Sequence, residues 1–110
     1  MRAAIATLAL CTAAALPLAH AQQADESAAQ ALMKKSGCLK CHSVSAKKEG
    51  PSFRDTAAKY KGKADAEKAL VTHLTTNPKV KVDGKEELHD SLKTKNEAEV
   101  VNVVRYILSR

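Results

Sequence analysis

Cys38-Leu39-Lys40-Cys41-His42 is the stretch on which the reading of this chain turns. Two thiols separated by two residues and followed at once by an imidazole are what covalent haem attachment requires: each sulfur adds to one vinyl group, and the adjacent histidine reaches the iron. One short segment then holds a porphyrin by three bonds. The only other cysteine, Cys11, falls in an N-terminal leader, so no second covalent framework competes. Cys38 and Cys41 are therefore read as the haem attachment points and His42 as the proximal iron ligand, with one haem c per chain.

Two blander readings of the motif fail on context. A redox dithiol would sit at the start of a helix in a βαβ setting, and no alternating strand pattern lies nearby. Structural zinc needs four ligands, usually with a second close pair, whereas His73 and His89 are far apart in the chain. Neither explains why His42 follows directly.

Upstream, residues 1–21 read as a secretory signal peptide. Arg2 supplies a positive start, Ala3 to Leu16 is an apolar run short for a bilayer span, and Ala19-His20-Ala21 offers small residues for cleavage. Cys11 resembles a lipoprotein site only weakly, because bulky Leu10 precedes it. Residues 22–110 then form one domain, expected in the periplasm. Export fits haem attachment, since thioether bonds in such proteins are made outside the cytoplasm. No later segment is long and apolar enough for an integral membrane helix.

A mature chain of about 90 residues is close to the size at which a lone core becomes marginal. Much of the 45% hydrophobic content is alanine and there is no Trp, so a large flat apolar cofactor would act as a folding partner as well as a redox centre. The net charge of +6 comes from lysines spread from Lys34 to Lys95, the pattern of a solvated surface. Lys40, Lys47 and Lys48 lie nearest the motif, where they would steer acidic redox partners toward an exposed haem edge. Nucleic-acid binding is not expected: mature aromatics are limited to Phe53, Tyr60 and Tyr106, and no binding motif is present.

Helical signals dominate. Asp25 caps a helix through Ala28, Ala31 and Leu32 that Ser36-Gly37 ends just before the motif. Ser52 and Asp55 are spaced as a capping box for a short helix to Tyr60. A third helix, from about Asp65 to Thr76, places Ala66, Ala69, Leu70 and Leu74 on one stripe and is closed by Asn77-Pro78. The last helix is assigned a Thr94/Glu97 capping box and carries Val100, Val103, Val104, Ile107 and Leu108 at helical spacing. Between helices three and four, Val80-Lys81-Val82 alternates briefly and Asp83-Gly84 marks a turn.

With the motif behind a first helix, Gly50-Pro51 after it, Ala57 to Gly62 reading Ala-Ala-Lys-Tyr-Lys-Gly, and Tyr106 on the last helix, the mature chain resembles a small bacterial class I cytochrome c. The resemblance implies an all-α fold of about four helices around one covalently bound haem. It implies that the terminal helices cross, with Leu32 and Ala28 against Tyr106, and that the carbonyl of Pro51 accepts the ring N–H of His42.

The chain departs from that family in one respect: there is no methionine after Met33 to serve as the sixth iron ligand. His89, in the loop before the last helix, is the expected replacement, since neutral imidazole is a good iron donor. His73, Met33, a loop lysine and an open, five-coordinate iron are the competing readings. Histidine on both faces makes a one-electron carrier rather than an enzyme, with a potential below that of methionine-ligated relatives. The alternatives are a gas-binding or sensing haem protein with a labile or absent distal ligand, in which Asn77, Asp90 or Ser91 would matter, and the haem subunit of a larger oxidoreductase.

Overall fold

Asp25 opens the first helix through its side chain, whose Oδ1 accepts the Ala28 N–H at 3.0 Å. Helix α1 runs Glu26–Ser36 and stops at Gly37, which takes φ 78° and returns its N–H to the last carbonyls; a left-handed stop of this kind is what glycine permits without a Cβ clash. The structure is a computed structural model that describes residues 23–110. The expected leader, residues 1–21, lies outside the described residues.

Beyond Gly37 a 3₁₀ turn, Cys38–Lys40, carries the motif. Helix α2 spans Phe53–Tyr60, capped by Ser52 Oγ accepting the Asp55 N–H. Helix α3 spans Ala66–Thr75 and buries Ala66, Leu70 and Leu74, as its stripe predicts, with Ala69 half-buried. Helix α4 spans Glu97–Leu108 and buries Val100, Val103, Val104, Tyr106 and Ile107. Four of those five side chains are β-branched and the fifth is aromatic, none a strong helix former, so this helix owes its stability to burial. It is the central element, packed against α1, α2 and α3.

Three details differ from the expectation. The all-α fold carries a small antiparallel hairpin, β1 Lys79–Val82 with β2 Lys85–Leu88, in the register Lys79 to Leu88 and Val82 to Lys85. Helix α4 is capped by Asn96, whose Oδ1 accepts the Ala98 N–H, while Thr94 accepts the Asn96 N–H and donates to Glu99 instead of boxing with Glu97. On α1 the buried alanine is Ala29, not Ala28. Leu32 and Met33 are buried beside it, and Gln30 Nε2 donates to Tyr106 Oη at 3.4 Å across the α1/α4 crossing.

The same crossing is tied at its outer edge. Asn102 Nδ2 donates to the Asp25 carbonyl while its Oδ1 accepts the Asp25 N–H. Arg110 lies over the Tyr106 ring and pairs with Glu26. These contacts join the two ends of the described chain, so the motif leaves α1 from a fixed base.

Candidate haem site

The motif is held rigid by backbone bonds from the loop that follows it. Gly50 N–H donates to the Cys41 carbonyl at 2.8 Å, and Phe53 and Arg54 N–H donate to the Ser43 and Val44 carbonyls at 2.9 and 3.0 Å. Lys48 Nζ donates to the Leu39 carbonyl at 2.7 Å. Of the three lysines expected to face partners, Lys48 thus also braces the motif, while Lys40 and Lys47 are exposed.

His42 is oriented from three directions. Its Nδ1 lies 2.7 Å from the Pro51 carbonyl oxygen, and because a carbonyl only accepts, Nδ1 carries the proton and Nε2 keeps the free lone pair. Its ring stacks on Phe53 at 5.7 Å with 20° between planes, and Phe53 meets Tyr106 edge-on at 6.3 Å. Behind it, Gly50 leaves space that no other residue would: a Cβ there would come within 2.4 Å of His42 Cε1. Gly50→Ala is therefore expected to tilt the imidazole off Pro51 and to cost about 1–3 kcal/mol, chiefly from overpacking with the lost hydrogen bond added. Denaturant unfolding of the holoprotein beside the parent checks it.

Cys38 and Cys41 are both unpaired thiols. Burial chiefly pushes the Cys38 thiol up from its usual range. Cys41 is pushed up chiefly by Glu49, whose Oε2 accepts from Sγ at 3.2 Å. The depressed thiolate pKa on which dithiol redox catalysts depend is therefore not produced here.

His89 follows β2 and returns toward the motif. The His42 and His89 ring centres are 6.1 Å apart with 52° between planes. Metal–imidazole nitrogen bonds of about 2.0–2.1 Å, with each ring centre about 1.1 Å behind its nitrogen, put two opposed imidazoles on one ion about 6.2 Å apart. The spacing fits a single iron between them.

His73 of α3 joins this cluster, its ring centre 4.4 Å from that of His89. Burial is the main cause holding both His73 and His89 below the usual imidazole range. Both are therefore neutral donors near pH 7. Met33 is 1% exposed within the core.

Two residues take parts in the site that the sequence does not show. In the sequence Gly50 stands out only as half of Gly50-Pro51, yet its missing Cβ makes room for His42. Asn77 reads in the sequence as a helix terminator and as one candidate polar group of an open distal site, and the structure gives it a different part: its Nδ2 donates to the His89 carbonyl at 3.0 Å. The φ of 48° at Asn77 leaves no trace in the sequence beyond asparagine's tolerance for that region.

Helices converging on a pair of thiols and on two imidazoles whose ring centres lie 6.1 Å apart define a protein that binds haem covalently. The chain belongs to the cytochrome c family, whose model, described as Cytochrome c, matches residues 26–110, and it is a small class I c-type cytochrome with one covalently bound haem c per chain. It is similar to the class 1 cytochrome MtoD from Sideroxydans lithotrophicus ES-1, at 43% identity and a TM-score of 0.75 over 78% of this chain and 96% of that one. It is also similar to Nitrosomonas europaea cytochrome c552, at 28% identity and a TM-score of 0.58 over 73% of this chain and 96% of that one. Among curated relatives, Allochromatium vinosum cytochrome c-551 is 51% identical over 43 residues, which are 39% of this chain and 46% of that protein. The chain spans less than half the length of the first curated relatives it matches.

Proposed function

We propose that this protein is a periplasmic one-electron carrier whose haem is attached through Cys38 and Cys41 and whose iron is held between His42 and His89. The observation that carries the reading is the 6.1 Å separation of the two imidazoles. The haem supplies reversible one-electron iron chemistry. Pro51 fixes the His42 tautomer that presents Nε2 as a donor, and a carbonyl accepting the other ring N–H makes that donor more basic. Burial keeps His89 neutral, so its lone pair is available at physiological pH. Two nitrogen donors favour a potential below that of relatives with methionine on the distal side.

A site closed on both faces changes oxidation state and does little else, which supports a carrier rather than an enzyme or a gas sensor. The exposed Lys40 and Lys47 beside the motif would favour a redox partner with an acidic docking face. Among the described residues no helix is long and apolar enough to cross a membrane, and the leader-like residues 1–21 support export. Mixing the ferrous holoprotein with carbon monoxide tests the reading. Slow binding that saturates at the rate of ligand departure is expected. Immediate, complete binding would instead identify an open iron.

A further inference from the structure

We propose that Asn77 is a positioning residue that clamps the His89 segment onto the end of α3 and so sets how readily His89 leaves the iron; this rests on the His89 ligation proposed above. His89 emerges from β2, every residue of which is exposed, and an isolated two-stranded hairpin is marginal in water. The hairpin therefore cannot be what holds the ligand in place. The bonds that do so run to the residues closing α3.

Asn77 Nδ2 donates to the His89 carbonyl at 3.0 Å. The His89 N–H donates to the Pro78 carbonyl at 2.8 Å, and the Leu92 N–H donates to the Leu74 carbonyl at 3.0 Å. Ser91 Oγ donates to Asn77 Oδ1 at 3.0 Å, which commits the other end of the amide, Nδ2, to His89. The ligand is thus gripped through both its N–H and its carbonyl by two consecutive residues.

Asn77 also pays a backbone penalty to be there. Its φ of 48° is positive, a conformation shared among non-glycine residues only with Asp83 of the hairpin turn within the described residues. Such a conformation persists where surrounding contacts over-determine it, and asparagine tolerates it better than most residues. If the turn alone mattered, glycine would serve better. What asparagine adds is the amide, and the amide reaches the proposed iron ligand and its neighbour Ser91.

Because the two bonds are solvent-exposed, the effect is kinetic and moderate. In the ferrous holoprotein at saturating carbon monoxide, binding is limited by departure of His89. Asn77→Gly keeps the backbone conformation and removes both side-chain bonds, and is expected to speed that step about three- to tenfold. Asn77→Asp, which keeps the acceptor for Ser91 but loses the donor to His89, is expected to follow it. Amide exchange at His89 should rise in the same variants. If both variants lower the thermal midpoint but leave the limiting rate at the parent value, Asn77 is merely structural and the proposal fails. If the parent itself binds carbon monoxide without a saturating rate, the His89 ligation fails first and the clamp with it.

Discussion

Replacing His89 by methionine is expected to raise the reduction potential of the holoprotein by on the order of 100 mV, because a thioether donor stabilises the reduced iron relative to an imidazole. The substitution asks little of the fold. His89 is half-buried at the end of an exposed hairpin, and its backbone bonds to Asn77 and Pro78 do not involve the side chain. Methionine is long and flexible enough to fill the same space. Redox titration of parent and variant reads the shift directly, and a potential unchanged within the error of the titration would remove His89 from the iron.

The second large effect concerns folding. Alanine at both Cys38 and Cys41 is expected to abolish covalent haem and, with it, most of the cooperative structure. The protein's own core consists mainly of single aliphatic layers from α1, α3 and α4 with Phe53 and Tyr106, in a chain near the lower size at which such cores suffice. His89 adds a liability of its own, since its Nδ1 is buried without a hydrogen-bond partner. A group bound only by the native state stabilises that state, and a covalently tethered one does so at any protein concentration. Far-ultraviolet circular dichroism through a thermal ramp should show weak helicity and a shallow, non-cooperative transition in the double variant. A sharp transition near that of the holoprotein would contradict the claim that haem completes the core.

Most of the framework that positions the site was legible because helix ends are written in local chemistry. Asp25, Gly37, Ser52 and the Asn77-Pro78 pair each act within one turn of chain, so their roles can be read without knowing the fold. The start of α4 was misread by two residues because Thr94 and Asn96 are both capable caps, and the choice between them depends on Glu99 reaching Thr94. The hairpin was half legible. Val80-Lys81-Val82 alternates, but Lys85-Glu86-Glu87-Leu88 is exposed throughout and becomes a strand only by pairing with β1.

The site shows the same division. The three motif residues and the Pro51 carbonyl could be expected because they are close in the chain and follow a familiar arrangement. The approach of His73 to His89 is tertiary: it depends on how α3 docks and how the segment after β2 returns. Gly50 illustrates a different limit, since a glycine's importance lies in the atom it lacks and shows only once His42 is seen against it.

The most direct test of the account is the electron paramagnetic resonance spectrum of the ferric holoprotein, recorded for the parent and for His89→Ala. Two opposed imidazoles predict one low-spin species in the parent and its loss in the variant, with His73→Ala added so that the neighbouring ring 4.4 Å away cannot substitute. A high-spin parent, or a low-spin signal that survives unchanged without both histidines, would contradict it.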